Sequence, residues 1–134
     1  MVCVYCGNKT KVFNSRLQKR NNQVWRRRQC SSCHAVFTTE ETIDYGGSWT
    51  VKSKSGVITP FSREKLVMSL FRSCQHRKGA LSDASALTDT IINKLHLQRL
   101  SGSIDTDFIS HTAQVALNRF DKAASVHYQA WHRS

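Results

Sequence analysis

Two cysteine pairs, Cys3-x2-Cys6 and Cys30-x2-Cys33, stand 23 residues apart at the start of the chain, and this spacing constrains the first third more than any other feature. Zn²⁺ prefers a tetrahedron of ligands and takes thiolates at about 2.3 Å, and each C-x-x-C turn offers two sulfurs from one tight loop. The intervening stretch is long enough to fold as a hairpin that carries one pair back to the other. Four unrelated cysteines, or a redox C-x-x-C, would leave the doubled spacing without a reason. A segment of roughly 40 residues cannot bury enough apolar surface to fold alone, so bound metal has to supply its folding free energy. Cys3, Cys6, Cys30 and Cys33 are therefore the expected ligands of one structural Zn²⁺. With all four positions filled by protein, no place remains for a catalytic water, which argues against zinc-dependent hydrolysis and for a non-enzymatic role. His34, beside the second pair, reads as a bystander.

The charge distribution points to the partner. Of 134 residues, 20 are Lys or Arg and 9 are Asp or Glu, with a pI near 9.9. The excess is concentrated early: residues 1 to 37 hold Lys9, Lys11, Arg16, Lys19, Arg20, Arg26, Arg27 and Arg28 and no acid. Four thiolates with one Zn²⁺ subtract two charges from these eight and leave six. Arg16, Lys19 and Arg20 fall on one arm of the expected hairpin, Arg26, Arg27 and Arg28 on the other, with Asn21-Asn22 as the turn. These six are the candidate contacts to double-stranded DNA, because lysine and arginine on phosphates dominate affinity and arginine forks reach guanine edges. The bland alternative is a solvated charged hairpin, which three successive arginines in an acid-free ribbon make a weaker reading. Strand alternation places Arg26 and Arg28 on one face and Arg27 on the other. No apolar run approaches the roughly 20 residues that span a bilayer, and the N-terminus lacks a signal-peptide pattern, so a cytoplasmic, membrane-free protein is expected.

The pattern changes near Tyr45-Gly46-Gly47, which suggests a ribbon over residues 1–45 and a second domain over 46–134. Ser48 to Lys52 alternates as a strand does, and Val57-Ile58 can pair back on it across Ser53-Lys54-Ser55-Gly56. Helical stripes follow. Leu66, Val67, Leu70, Phe71 and Cys74 share one face after Ser62 as cap, with Lys78-Gly79 as the stop. Leu87, Ile91, Ile92 and Leu95 share another after Ser82, ending at Gly102. Phe108, Ile109, Thr112, Ala113, Ala116, Leu117 and Phe120 make a third after Asp105, and a last helix runs from Asp121 to Trp131. The expected fold is thus α+β: a small N-terminal β zinc ribbon, then a β-hairpin with a bundle of about four helices. Cys74 reads as a small core residue, Trp49 as core or pocket lining, and Trp131 as packing for the last helix. No Ser-His-Asp grouping or Walker-type glycine loop is present.

These residues carry a family likeness. Cys3-Val4-Tyr5-Cys6, Asn14-Ser15-Arg16, Val24-Trp25-Arg26-Arg27-Arg28-Gln29-Cys30 and Phe37-Thr38-Thr39 resemble the zinc ribbon of NrdR-type repressors of ribonucleotide reductase genes. Thr50-Val51-Lys52, Gly56 and Pro60-Phe61-Ser62-Arg63-Glu64-Lys65-Leu66 resemble the start of an ATP-cone, the nucleotide-sensing domain that also occurs on ribonucleotide reductases. The resemblance implies that ATP and dATP bind the cone, change the oligomeric state of the homo-oligomer, and so control binding to DNA upstream of those genes. It makes Lys52 and Lys65 the phosphate partners and Val51 a residue that packs on adenine. His127 stands where the family has an arginine that contacts ligand or forms an ion pair. Two further departures, Val4 for proline and Asn14 for aspartate, leave the cysteines untouched. The competing reading keeps the nucleotide sensor but directs it at ribonucleotide reductase or another protein instead of DNA.

Overall fold

A computed structural model describes residues 1–98 and 101–132. The chain forms two compact units, Met1–Ile43 and Asp44–Ser134.

The first unit is a three-stranded antiparallel meander of β1 (Thr10–Gln18), β2 (Gln23–Cys30) and β3 (Val36–Glu41), in the order β1-β2-β3. Register is continuous except for a bulge between Val12 and Asn14. Asn22 closes the β1–β2 turn at φ 50°, a left-handed conformation that asparagine tolerates better than most residues. Lys19 and Arg20 sit in this turn and not on the β1 arm where the pattern had placed them. In this unit Cys3 and Cys30 are the buried residues; Val12, Phe13, Leu17 and Trp25 are all exposed. A sheet with so little interior does not hold itself together by apolar burial.

The second unit starts with a short helix, α1 (Tyr45–Ser48), capped by the Asp44 carboxylate, which accepts from the Gly47 N–H at 3.1 Å. Next come β4 (Thr50–Lys52) and β5 (Ile58–Pro60), paired antiparallel, with Gly56 at φ 89° in their turn. The hairpin is the expected one with a return strand that starts at Ile58 instead of Val57 and a first strand that starts at Thr50, because Ser48 ends α1. Four longer helices follow: α2 (Arg63–Ser73), α3 (Ala80–Leu97), α4 (Thr106–Phe120) and α5 (Lys122–Trp131). Between α3 and α4 the chain adds β6 (Ser103–Asp105), which lies parallel to β4 and completes a sheet of order β5-β4-β6. The observed class is the expected α+β.

Helix α2 packs on α3 and α5, and α4 packs on α3 and α5, so the four close a ring. The core inside it includes Leu66 and Leu70 from α2, Leu87, Ile91, Ile92 and Leu95 from α3, Ala113, Ala116 and Leu117 from α4, and Ala124 and Tyr128 from α5, with Ile104 of β6. Cys74 belongs to it, and burial first, then the carboxylates of Asp83 and Asp121, push its thiol up. Trp49 packs at the edge of this core against Tyr45 and Phe61, at centroid distances of 4.6 and 5.4 Å.

Several local expectations are corrected. Ser62 does cap α2, accepting from the Lys65 N–H at 3.2 Å. Ser82 does not cap α3; the helix starts two residues earlier at Ala80, and the Ser82 hydroxyl donates back to the Gly79 carbonyl at 3.1 Å. Helix α2 stops at Ser73, well before Lys78-Gly79, and α3 stops at Leu97, before Gly102. Phe120 is not part of the α4 buried face: it is exposed, and the Arg77 guanidinium lies 4.4 Å over its ring. Trp131 is 65% exposed, with Arg72 6.0 Å from its ring, so it does not pack the end of α5 inward.

One polar junction holds the helix ends. Arg77 donates to Asp83 at 2.8 Å and to Asp121 at 3.0 Å, while Asp121 also caps α5 through the Ala124 N–H. The His76 ring, then the Ala124 N–H and the Arg77 guanidinium, hold the Asp121 carboxyl well below the usual carboxylate range. On the bundle flank, Arg63 ties α2 to α3 through Asp89 at 2.9 Å and Ser85 at 3.1 Å.

Candidate zinc ribbon and ligand cavities

The two cysteine turns are built alike. In each, the N–H of the first cysteine donates to the carbonyl five residues on, Cys3 to Asn8 at 2.7 Å and Cys30 to Ala35 at 2.9 Å. In each, the N–H two residues on points at the first sulfur, Tyr5 to Cys3 Sγ and Ser32 to Cys30 Sγ, both at 3.3 Å. The chain then has to turn through a left-handed residue, which is Gly7 at φ 78° in the first turn and His34 at φ 62° in the second. His34 therefore has a backbone role that its side chain did not announce; the signal was its position, four after the leading cysteine, matching Gly7.

The sulfurs of Cys3, Cys6, Cys30 and Cys33 all lie within 4.8 Å of one another. Cys3 to Cys33 is 3.7 Å and Cys6 to Cys30 is 3.4 Å. A regular ZnS4 tetrahedron with bonds of about 2.3 Å has edges of about 3.8 Å, so the cage fits Zn²⁺. Its electrostatics ask for a cation. The Asn8 N–H first, then Cys30, bring the Cys6 thiol down to about 6. Against the pull of the Ala35 N–H, burial and the sulfurs of Cys30, Cys6 and Cys3 push Cys33 up to about 11. Four sulfurs this close cannot all carry charge alone, and a dication removes that conflict by deprotonating its ligands outright. Zn²⁺ held by these four would be structural and would cross-link the two ends of β1–β2.

The sheet divides the arginines by face. Arg16 pairs in register with Trp25, Asn14 with Arg27, and Arg27 with Thr38. Asn14, Arg16, Trp25, Arg27 and Thr38 together line a shallow concavity of about 290 Å³. Trp25 is 40% exposed there, and Arg27 donates to Thr38 Oγ1 at 3.0 Å. On the opposite face Arg26 and Arg28 are half-buried. Arg26 reaches Ser15 at 3.2 Å and the Glu41 carboxylate at 3.8 Å, and Arg28 reaches Thr10 at 3.2 Å. Of the six basic residues singled out, Arg16 and Arg27 are thus brought together, Lys19 and Arg20 stand at the tip, and Arg26 and Arg28 point away. Trp25, Asn14 and Thr38 were not singled out as contacts, although strand register places them beside Arg27.

In the second unit, Val51 and Lys65 line one cavity of about 180 Å³, with Pro60, Ser69, Thr106, Ser110, Tyr128 and His132 among its walls. Lys65 sits in the first turn of α2, where the helix dipole favours an anion. Lys52, the next residue on β4, lines a separate cleft of about 380 Å³ with Lys54, His111, Asp105 and Asp107, and Lys54 pairs with Asp107 at 3.6 Å. Thr106 lines both, so the two clefts adjoin there. His127 lies elsewhere: its Nδ1 donates to the Ser73 carbonyl at 3.2 Å, and its ring is 5.2 Å from that of His76. No helix among the described residues is long and apolar enough to cross a membrane.

Comparison with known proteins agrees with this architecture. Residues 1–41 match a family model described as the N-terminal domain of NrdR-like transcriptional repressors. The transcriptional repressor NrdR of Geobacillus kaustophilus is 32% identical over 134 residues, covering 99% of this chain and 86% of the relative. Those of Pelotomaculum thermopropionicum and Syntrophotalea carbinolica are each 31% identical over 99% of this chain and cover 80% and 84% of the relatives. With the ribbon matched and the relatives aligned across both units, the chain belongs to the NrdR family of transcriptional repressors.

Proposed function

We propose that this chain represses ribonucleotide reductase genes by binding their upstream DNA through its zinc ribbon, under the control of ATP or dATP bound in the second unit. The observation that carries the reading is the ribbon face on which Arg16 and Arg27 flank an exposed Trp25, with Asn14 and Thr38 beside them. Arginines on this face bind phosphate or guanine edges, Asn14 has the donor and acceptor pair that reads adenine, and Trp25 offers flat apolar area to a sugar or a thymine methyl. Lys19 and Arg20 at the hairpin tip add backbone contacts. Arg26 and Arg28, already hydrogen-bonded across the other face, position the sheet. The Zn²⁺ keeps the ribbon folded and takes no part in chemistry.

The cavity of Val51 and Lys65 supports the sensing half of the reading. It has apolar walls for a base and a lysine at a helix start for phosphate, while Lys52 stands in the adjoining cleft, where Lys54 is paired with Asp107. Control through oligomeric state follows the same reading: one ribbon covers one half-site, and two linked ribbons gain specificity that one lacks.

The test is fluorescence anisotropy of a labelled duplex from upstream of the host's ribonucleotide reductase genes beside a scrambled duplex, at fixed salt, with the zinc-loaded chain. Affinity for the upstream duplex alone should differ between ATP and dATP. Equal binding to both duplexes, indifferent to nucleotide, would mean that the sensor acts on a protein partner instead.

A further inference from the structure

We infer that Glu40 is a specificity-determining residue of the ribbon: its carboxylate accepts a hydrogen bond from the N4 amino group of cytosine in the major groove and rejects base edges that present only acceptors. The inference rests on the DNA-binding reading of the face that carries Trp25 and Arg27, and it adds to that face a residue that selects by exclusion.

Register lays this face out in rows across the three strands. Arg16, Trp25 and Glu40 form one row, and Asn14, Arg27 and Thr38 form the next. All six are exposed, whereas Arg26, Arg28, Phe37 and Thr39 on the back of the sheet are half-buried. The bulge between Val12 and Asn14 resets the alternation of β1, so Lys11, opposite Gln29, joins the exposed face, and Val12, opposite Arg28, goes to the back.

Residues 1 to 43 contain two acids, Glu40 and Glu41, and as neighbours on a strand they take opposite faces. Glu41 goes to the back, where its carboxylate lies 3.8 Å from the Arg26 guanidinium. Glu40 goes to the exposed face and has no ion pair among the described residues. Arg16 shares its row but stands two strands away, about 10 Å at the usual spacing. Glu40 is thus the ribbon's single acid on a face that holds Lys11, Arg16 and Arg27, and no cation there neutralises it by direct contact.

A carboxylate on a DNA face costs affinity unless a donor meets it, because phosphates repel it and docking strips its water. The phosphate backbone supplies no donor. In the major groove guanine presents N7 and O6 and thymine presents O4, all acceptors, while cytosine N4 and adenine N6 donate. Adenine places the acceptor N7 beside its amino group, where it repels the second carboxylate oxygen; cytosine places a C–H there. Cytosine is therefore the base that satisfies Glu40 without a repulsive neighbour, and any other base leaves the carboxylate desolvated and unpaired.

The experiment is selection from a duplex pool randomised at its central positions, with the full zinc-loaded chain in ATP and in dATP, for the native chain, Glu40→Ala, Glu40→Gln and Arg27→Ala. Fluorescence anisotropy then follows on the selected duplex and on its variants at each position. The native chain should fix one position as cytosine and prefer it about tenfold over thymine, the size of one base contact. Glu40→Ala should lose that preference, keep the others, and bind a scrambled duplex more tightly than the native chain does. Glu40→Gln should turn the same position to adenine, whose N6 and N7 match a carboxamide. A merely repulsive charge would raise affinity on every duplex and move no position; that result, or a Glu40-dependent position fixed as another base, would overturn the inference while leaving the DNA face in place. No selected sequence with the native chain, or native binding by Arg27→Ala, would remove the DNA reading of this face and this inference with it.

Discussion

Removing the metal should unfold the ribbon and leave the second unit folded. In Met1–Ile43 the interior consists of Cys3 and Cys30, while the large apolar side chains Phe13, Leu17 and Trp25 stay exposed. A domain of this size has a net stability of roughly 2–6 kcal/mol at about 0.05–0.15 kcal/mol per residue. Structural Zn²⁺ in zinc-finger peptides contributes apparent free energies of about 10–16 kcal/mol at neutral pH, more than that whole margin. Chelation therefore has no core to fall back on in the ribbon, whereas the second unit keeps Leu70, Ile91, Leu95 and Leu117 fully buried. The assay is the indole N–H region of a ¹⁵N spectrum before and after chelation, with metal release followed by a colorimetric dye. The Trp25 resonance should collapse to its random-coil position and the Trp49 resonance should stay dispersed. A dispersed Trp25 resonance in protein shown to be metal-free would refute the argument, because the sheet would then be stable on contacts that this structure does not contain.

The face assignment is tested by Arg27→Ala, which should weaken duplex binding and lower the slope of log affinity against log salt by about 0.9, the amount for one phosphate contact. Arg26→Ala should leave that slope unchanged, because Arg26 faces Ser15 and Glu41; the reverse result would put DNA on the other face. Leu70→Ala removes a fully buried side chain from the ring of helices and should destabilise the second unit by about 2–5 kcal/mol, read as a fall in its melting temperature of roughly 10 °C or more. A fall within a degree or two would mean that α2 does not anchor the core. The Asp121 carboxyl is depressed in the folded chain, so its charge contributes stability above the unfolded value of about 3.9 and loses it as pH falls through and below that value. Asp121→Asn retains a good cap for α5 but not the charge facing Arg77 and His76, and it should flatten the fall in melting temperature between about pH 5 and pH 3. An unchanged acid profile would show that the junction is electrostatically idle.

Much of the candidate site was legible because its chemistry is local. Each C-x-x-C turn positions two sulfurs by itself, and strand alternation alone separates Arg27 from Arg26 and Arg28. Apolar spacing likewise marked the buried stripes of α2, α3 and most of α4. Errors arose at ends: Ser82 is a competent cap, yet the start of α3 is set two residues earlier by the turn from Arg77 to Gly79. Strand β6 left no periodic trace, because three residues carry no pattern and Ile104 is recognisable as a strand residue only once it pairs with Val51, more than 50 positions away. Phe120 falls on the α4 stripe by spacing and Trp131 reads as packing for α5, but both face outward under Arg77 and Arg72, since α4 and α5 end where the ring of helices no longer covers them.

By itself, the sequence marked Cys3, Cys6, Cys30 and Cys33 as one ligand group, placed an acid-free basic run over residues 1 to 37, and had a bundle of helices follow a hairpin, because metal ligands, charge and periodicity are properties of neighbours along the chain. Only the tertiary structure decided that Arg16 joins Trp25 and Arg27 on one face, that Val51 and Lys65 meet in one cavity while Lys52 enters the next, and that His132 and not His127 lines that cavity. Those are consequences of register and of the angle at which α5 crosses α2, and both are settled by the fit of distant side chains, which no local pattern encodes.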